Sequence, residues 1–220
     1  PSPNIGNDLP QTNISYRTIK TEFLNKLKKL TGKEYRLPTE AEWEYVAKGG
    51  QTHPISQMLS KEFAVHKNLK RADALLNTVE GYTMYAGSND ADEVAWTKDN
   101  TNGIRPVGQK KPVSSSLSVY DMSGNIWEWC EDYYQSDMYN DCITCKDRSK
   151  IQQKVDCIEA DYETLGFISN PVCRNAEYTA HVFRGGSWLF DTYDSRCTRP
   201  NYWIETDEDI DLGFRLAITE

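Results

Sequence analysis

The segment between Trp188 and Gly213 most constrains what this chain can fold into, because it follows no regular secondary-structure period. Its apolar residues recur neither at every second position, as in a half-buried strand, nor at roughly every 3.6 positions, as in an amphipathic helix. The segment mixes Tyr, Trp and Phe with Asp, Asn, Ser and Thr. Rigid aromatic anchors beside small polar groups are typical of recognition loops, so the pattern favours an irregular segment with a binding role.

One helix is indicated near the N-terminus. Ser15 is a candidate N-cap for a helix from Tyr16 to about Leu30, and Gly32 is a candidate C-cap. The apolar positions that fall on one stripe of this helix are Ile19, Phe23, Leu27 and Leu30.

A second helix is signalled by a capping box at Thr39-Glu40-Ala41-Glu42. Trp43, Val46 and Ala47 share one face of this helix, and Gly49-Gly50 stops it. We interpret Glu40, Glu42 and Glu44 as carboxylates that serve the helix dipole, without a catalytic use.

The rest of the sequence indicates short strands and long loops. Val182-Phe183-Arg184 is typical of a strand, and Leu212 to Ile218 of a closing strand. Residues 51–118 and 135–180 carry the loop-forming residue types. We therefore expect a single α+β domain over residues 1–220, with two helices, short strands, long loops and a loop-rich insertion at about 135–180.

Charge and hydropathy argue against a nucleic-acid partner and against a transmembrane segment. The net charge is −8, and no basic run stands out beyond Lys26, Lys28 and Lys29, so a nucleic-acid partner is not expected. No stretch approaches ~18 consecutive apolar residues, so we expect no transmembrane segment. Residue 1 is Pro instead of Met, from which we expect that the native N-terminus, with an export signal or lipid anchor, is missing.

The six cysteines leave two interpretations open. An even number favours disulfides, or partly free thiols, in an exported protein. Alternatively, four thiolates could hold zinc, although the spacing of Cys142, Cys145, Cys157 and Cys173 matches no familiar zinc module. Cys130 and Cys197 complete the set.

Three segments in order resemble a known family. They are Tyr35–Tyr45, Tyr120–Trp129, and Arg184–Trp188 closing with Gly213-Phe214-Arg215. Over roughly residues 12–218 the chain resembles the formylglycine-generating-enzyme domain, also called the sulfatase-modifying-factor family. The resemblance implies a C-type-lectin-like fold of the formylglycine-generating-enzyme type, with the family's N-terminal portion truncated.

The resemblance also implies a catalytic site, which this sequence lacks. The family oxidises a substrate cysteine with copper and oxygen, using two cysteines shortly after Gly-Gly-Ser, because thiolates select copper(I). Those positions correspond to Phe190 and Ser195, and neither side chain can ligate copper. A second branch of the family uses iron held by histidines, but His53, His66 and His181 do not have facial-triad spacing. We expect no copper cofactor and no enzymatic activity.

A calcium site is implied by the same resemblance. In the family, the loop that corresponds to Asp121–Glu128 binds calcium through two side chains and two backbone carbonyls. This places side-chain oxygens at Asp121 and Glu128, and carbonyl oxygens at Gly124 and Ile126. Calcium prefers such hard oxygen ligands. In the alternative interpretation, Asp121 and Glu128 accept hydrogen bonds from backbone amides without an ion.

The residues around the irregular segment resemble those of the variable proteins of diversity-generating retroelements. In those proteins, adenine-directed mutagenesis rewrites codons of a lectin-fold C-terminus. The resemblance implies a variable binding segment at 189–211. In the alternative interpretation half of this segment is core, with Trp188, Cys197 and Phe214 expected to be buried and Leu189 and Ile204 as further candidates. The expected ligand-binding residues are Phe190, Asp191, Thr192, Tyr193, Asp194, Ser195, Asn201, Tyr202, Trp203, Glu205, Asp207 and Asp209.

The leading hypothesis is a non-enzymatic, receptor-type binding protein. We expect a monomer, exported and lipid-anchored at a bacterial cell surface, whose ligand is a protein or glycan on another cell or surface. The acidic residues Asp207, Glu208, Asp209 and Asp211 favour a partly basic ligand or metal-dependent sugar binding. The alternatives are a copper- or iron-dependent oxidase and a structural surface lipoprotein module.

Overall fold

The computed structural model describes residues 8–50, 83–134, 172–174 and 179–218, together with the backbone of two short strands at 161–162 and 168–169. The helices in chain order are α1 (Tyr16–Thr18), α2 (Leu24–Thr31), α3 (Glu40–Ala47) and α4 (Ala91–Val94). The strands are β1 (Tyr35–Arg36), β2 (Ala95–Trp96), β3 (Ser123–Gly124), β4 (Trp127–Tyr133), β5 (Asp161–Tyr162), β6 (Ile168–Ser169), β7 (Ala180–Arg184), β8 (Asn201–Ile204), β9 (Leu212–Phe214) and β10 (Ala217–Ile218).

The first expected helix is present, but it is interrupted. α1 and α2 are joined by a π-helical turn at Ile19–Phe23. Ser15 caps α1 as expected, because its side chain accepts a hydrogen bond from the Thr18 amide at 3.2 Å. Gly32 ends α2 with a left-handed backbone at φ 72°, which is the expected C-cap.

The π-helical turn changes which side chains reach the core. It carries one more residue than an α-helical turn, so it rotates the apolar stripe that follows it. Ile19 and Leu24 are 0% and 9% exposed, whereas Leu30 is 84% exposed. The prediction that Leu30 lies on the buried stripe is therefore wrong.

Helix α3 confirms the second helix and its capping box. The Thr39 hydroxyl accepts from the Glu42 amide at 3.1 Å, and the Glu42 carboxylate accepts from the Thr39 amide at 2.9 Å. Trp43 and Ala47 are buried. A short helix that the sequence pattern does not reveal, α4, begins at the N-cap Asp90.

The central sheet has four strands in the order β8-β7-β4-β9. β4 pairs antiparallel with β7 and parallel with β9. The sheet is covered by α1 and the π-helical turn, because Tyr16 and Ile19 share one core cluster with Trp129, Phe183 and Leu212.

Few helices, short strands and long connections confirm the α+β class. The expected closing strand over Leu212 to Ile218 is divided into β9 and β10. No helix in the described part of the chain is long and apolar enough to cross a membrane. Most of the expected insertion at about 135–180, with Cys142, Cys145 and Cys157, lies outside the described residues, as do His53 and His66.

The rotated stripe predicts a contrast between two leucines of α2. Leu24→Ala should lower the free energy of unfolding by about 2–4 kcal/mol, because it leaves a cavity in the core. Leu30→Ala should change it by less than about 0.5 kcal/mol, because this side chain is exposed. Urea unfolding of both variants measures the difference, and equal effects would contradict the π-helical register.

Candidate binding surface

Arg184 ties three elements together beneath the segment 189–211, which we call the binding segment. Its guanidinium donates to Glu40 at 3.0 Å and to Glu44 at 2.5 Å, and also to the carbonyl of Cys197. Burial alone would raise the pKa of Glu44, but Lys48 and Arg184 outweigh burial and lower this pKa to about 2. Arg184 therefore fixes α3 against the end of β7 and the middle of the binding segment.

Gly186 lets the binding segment fold back tightly on β7. Its backbone has φ 74°, and a Cβ atom at this position would lie 2.7 Å from the Cα of Ser195. A residue with a side chain would therefore displace Ser195. The Ser123 hydroxyl also donates to the Ser195 carbonyl at 2.8 Å, which fixes this part of the segment from the other side.

Ser195 is consequently fully buried. Its prediction as a surface contact residue is wrong, because Gly186 and Ser123 enclose it. In contrast, Phe190 is partly exposed and packs edge-on against Trp127, with ring centroids 5.7 Å apart. The two positions that correspond to the family's cysteine pair therefore lie in different environments, since Ser195 is buried and Phe190 is partly exposed.

A chain of aromatic contacts connects the start of the binding segment, at Phe190, with β8, at Trp203. Trp127 contacts Phe183 at 5.1 Å between ring centroids, and Phe183 contacts Trp203 at 6.2 Å. Phe190 and Trp203 therefore rest on the same buried aromatic pair. This pair, on β4 and β7, is a supporting feature that the sequence analysis does not identify.

Strand β8 divides the expected binding residues between two sides of the sheet. Successive side chains of a strand point to opposite faces. Tyr202 stacks on Tyr134 at 3.6 Å between ring centroids, whereas Trp203 contacts Phe183. Tyr202 and Trp203, both members of the expected binding set, therefore lie on opposite faces of the sheet.

Several acidic residues of the expected set lie near basic side chains. Asp191 lies 3.5 Å from Lys98, Asp194 lies 3.5 Å from Arg199, and Glu205 pairs with Arg17. Tyr193 lies beneath the guanidinium groups of Arg196 and Arg199, at 4.6 and 5.0 Å from its ring centroid. Within the described residues, no such ion pair involves Asp207 or Asp209. The remaining members of the set, Thr192 and Asn201, are half-buried.

The expected burial of residues in and beside the binding segment is confirmed in part. Cys197 is fully buried, whereas Trp188 and Phe214 are half-buried. Phe214 is covered on one side by Phe23, at 5.0 Å between ring centroids. Leu189 and Ile204 are exposed.

Cys130 and Cys197 are buried free thiols. Neither is joined in a disulfide, so the expectation of disulfides is wrong for these two residues. They share one core cluster with Trp43 and Val182. Burial raises the pKa of Cys130, and it raises the pKa of Cys197 to about 12. Both are therefore protonated at neutral pH.

His181 has a structural environment. It stacks on Tyr16 with ring centroids 3.5 Å apart and lies 4.1 Å from the ring of Tyr133. Burial lowers the pKa of His181 to about 4, so this histidine is neutral at neutral pH.

The loop expected to bind calcium is held by hydrogen bonds and an ion pair. Both oxygens of Glu128 accept from Arg215, and one also accepts from the Trp43 indole at 2.7 Å. Asp121 accepts from the Gly108 amide at 2.7 Å through Oδ2. Its other oxygen, Oδ1, is buried without a hydrogen-bond partner. Burial raises the pKa of Asp121, and the nearby Glu128 adds to this effect.

Asp211 anchors the C-terminal end of the binding segment from a buried position. Its carboxylate accepts a hydrogen bond from the Ser187 hydroxyl, and its carbonyl accepts from the Trp127 amide at 2.8 Å. Burial raises the pKa of Asp211 to about 6, against the opposing hydrogen bond from Ser187. The neighbouring Asp209 carboxylate also raises this pKa. Asp211 is therefore part of the buried support, whereas Asp207 and Asp209 are half-buried.

Comparison with known proteins identifies the same family as the motifs do. A model of the sulfatase-modifying factor enzyme 1-like domain matches residues 2–220. Chaperone protein LppX of Paenibacillus barcinonensis is 36% identical over 118 residues, which are 46% of this chain and 32% of LppX. A formylglycine-generating enzyme of Streptomyces coelicolor is 26% identical over 188 residues, which are 83% of this chain and 46% of the enzyme.

The relatives include a protein described as inactive. Inactive C-alpha-formylglycine-generating enzyme 2 of Bos taurus is 30% identical over 101 residues, which are 46% of this chain and 28% of the relative. The chain thus spans less than half the length of these three curated relatives.

Two solved structures confirm the fold. PvdO from Pseudomonas aeruginosa has a TM-score of 0.61 and 24% identity, covering 96% of this chain and 62% of PvdO. Treponema denticola variable protein 1 has a TM-score of 0.60 and 21% identity, covering 99% of this chain and 75% of that protein. The fold is the expected C-type-lectin-like fold of the formylglycine-generating-enzyme type.

The buried Asp211 predicts a pH dependence of stability. An aspartate in an unfolded chain has a pKa of about 3.9. Because the folded pKa is about 6, folding takes up a proton between these values. The stability that Asp211 contributes is therefore full below pH ~4 and is lost as the pH rises through ~6.

Replacing this carboxyl should weaken that dependence. Asp211→Asn should give a flatter curve of unfolding free energy against pH between about 4 and 7 than the wild type does. Asp207→Asn, which removes a carboxylate from a more exposed position, should leave the curve unchanged. Identical slopes in the wild type and Asp211→Asn would contradict the assignment.

Proposed function

The chain belongs to the sulfatase-modifying factor enzyme 1-like family, and from that premise we propose that it is a non-enzymatic binding protein whose ligand contacts the binding segment. The observation that carries this proposal is a set of exposed aromatic side chains on a buried support. Phe190 and Trp203, which rest on this support, are 39% and 40% exposed, and Tyr193 of the same segment is 46% exposed. Clustered exposed aromatic residues of this kind mark interaction sites.

The buried support makes the proposal physically specific. Arg184 and Gly186 fix the binding segment from below, and the contact of Trp127 with Phe183 supports both Phe190 and Trp203. Aromatic side chains held in this way lose little conformational entropy when a ligand binds. A protein or glycan surface is the proposed ligand class.

Three observations support the absence of oxidase chemistry. The family's two cysteine positions correspond to Phe190 and Ser195, and neither side chain supplies a thiolate. Cys130 and Cys197 are buried free thiols with raised pKa values. The family also includes a relative that is described as inactive.

We further propose that the binding segment is diversified by a retroelement. The fold likeness to Treponema denticola variable protein 1 supports this. The division between enclosed residues, such as Ser195 and Cys197, and exposed ones, such as Tyr193, supports it as well. Such a division lets exposed positions change while the support stays constant. Export to a bacterial surface stays a prediction.

Calcium remains part of the proposal as a structural ion. The buried Oδ1 of Asp121 fits a cation, because a carboxylate oxygen without a donor is costly to bury. Within the described residues no third Asp, Glu, His or Cys side chain joins Asp121 and Glu128 in a metal-binding group. Glu128 would share its carboxylate between the ion and Arg215. The proposed further ligands are the carbonyls of Gly124 and Ile126, and the ion would stabilise the loop before β4.

An oxygen-uptake assay tests the non-enzymatic proposal. The protein, incubated with copper(I) and a cysteine-containing peptide, should consume oxygen no faster than the same mixture without protein, because no thiolate pair is available. The Streptomyces coelicolor formylglycine-generating enzyme is the positive control. Turnover that converts the peptide cysteine would overturn the proposal.

Sequences from natural isolates test the diversification. Substitutions should concentrate at exposed positions of 189–211, such as Phe190 and Tyr193, and should spare Gly186 and Cys197. A near-copy of the coding region for 185–215 beside a reverse-transcriptase gene is the expected genomic context. Substitutions spread evenly over the chain would contradict this part of the proposal.

Thermal unfolding tests the calcium site. Calcium should raise the unfolding temperature of the wild type relative to a chelator, because an ion bound to the folded state alone stabilises it. Asp121→Asn keeps the acceptor for Gly108 but removes the charge, so its calcium response should be smaller. A wild-type unfolding temperature that is the same with calcium and with chelator would exclude the site.

A further inference from the structure

Strand β8 forms one edge of the central sheet. The order β8-β7-β4-β9 leaves one long side of β8 without a neighbouring strand in the described part of the chain. An edge strand presents backbone N–H and C=O groups that can pair with another extended chain. The binding segment therefore contains a possible pairing edge as well as aromatic side chains.

Hydrogen bonds at both ends of β8 establish which of its backbone groups face outward. The Glu205 amide donates to the Thr179 carbonyl at 3.1 Å, so Glu205 continues the ladder with β7. The Ala180 carbonyl, which lies opposite Ile204, accepts a hydrogen bond from the Tyr134 amide at 2.8 Å and therefore faces away from β8. The Tyr202 amide donates to the Asn201 side chain at 2.9 Å. Because antiparallel pairs alternate, Tyr202 and Ile204 direct their backbone groups away from β7.

Half of these outward groups are already used within β8 and the turn that follows it. The Ile204 carbonyl accepts from the Asp207 amide at 3.0 Å, and the Tyr202 amide is held by Asn201. The Tyr202 carbonyl and the Ile204 amide have no hydrogen-bond partner among the described residues. They provide one acceptor and one donor on the same edge, with which the backbone of an added strand can pair.

The side chains on this edge favour a partly apolar partner. Tyr202, Trp203 and Ile204 are 48%, 40% and 49% exposed. Because Tyr202 and Trp203 point to opposite faces, an added strand could bury apolar side chains on both faces of the extended sheet.

The charge next to β8 selects among the possible occupants. Asp207, Glu208 and Asp209 follow the strand, and within the described residues no ion pair joins them to a basic side chain. A second copy of the chain would carry the same net charge of −8 to the interface. Like charges oppose such pairing, whereas a basic partner is attracted.

We infer that the free edge of β8 binds an extended basic segment of a partner protein by strand addition, with the main chain paired at Tyr202 and Ile204. The inference rests on the proposed function, because it names the partner class of the same binding segment. It differs from side-chain recognition alone, because it requires backbone hydrogen bonds.

Peptides selected from a random library displayed on phage provide the probe. Selected peptides should be enriched in Lys or Arg and in β-branched residues. Their affinity should fall about tenfold for Ile204→Pro, which removes the outward N–H and obstructs the edge. Ile204→Val is the matched control, because it keeps the N–H, and it should bind like the wild type. Thermal unfolding checks that the proline variant is folded, since proline is tolerated where an edge N–H faces outward.

Backbone N-methylation of a selected peptide tests the main-chain hydrogen bonds between the peptide and β8 on the wild-type protein. Methylation at alternate peptide positions should abolish binding, and methylation at the intervening positions should not, because only alternate amides face β8. The double variant Asp207→Asn with Glu208→Gln should bind basic peptides more weakly, and added salt should reduce the difference.

Different outcomes would overturn different statements. Equal binding to Ile204→Pro and Ile204→Val, with binding lost in Phe190→Ala, would exclude strand addition but keep the proposed binding surface. Failure to select any peptide would also exclude the inference. A wild-type dimer that Ile204→Pro disrupts would replace the basic partner with a second copy. Oxygen turnover with copper, in contrast, would overturn the proposed function itself.

Discussion

The buried guanidinium of Arg184 is the interaction on which the rest of the structure depends. It lies at the end of β7 and joins Glu40 and Glu44 of α3 to the carbonyl of Cys197 in the binding segment. A charge that is 1% exposed must be paired, because the desolvation of an isolated ion is prohibitive. The position of α3 and the path of the binding segment are therefore set by the same group.

This arrangement separates the support from the surface. Gly186, Ser195 and Cys197 lie in the interior, so changes at these positions must disturb the fold. Phe190 and Trp203 rest on Trp127 and Phe183 but keep part of their area in solvent. Such positions can vary in chemistry without removing a buried partner, which is the physical requirement for a replaceable binding surface.

Local signals predicted the parts of the fold that depend on neighbouring residues. The Ser15 cap, the capping box at Thr39 and the Gly32 stop are read from a few adjacent positions, and all are present. The exposure of Leu30 was not predictable, because it depends on a π-helical turn that has no clear sequence pattern. The burial of Ser195 and the separation of Tyr202 from Trp203 depend on contacts with distant residues such as Gly186 and Tyr134.

The measurement that tests the central claim most directly compares two variants in urea unfolding. One replaces Phe190, Tyr193, Tyr202 and Trp203 together with serine, and the other carries the single change Arg184→Met. Arg184→Met removes the buried ion pair with Glu40 and leaves Glu44 paired with Lys48 alone, which should cost about 3–5 kcal/mol. We predict that the fourfold surface variant unfolds in one cooperative transition and loses less stability than Arg184→Met. The reverse order would contradict the division into a fixed support and a replaceable surface.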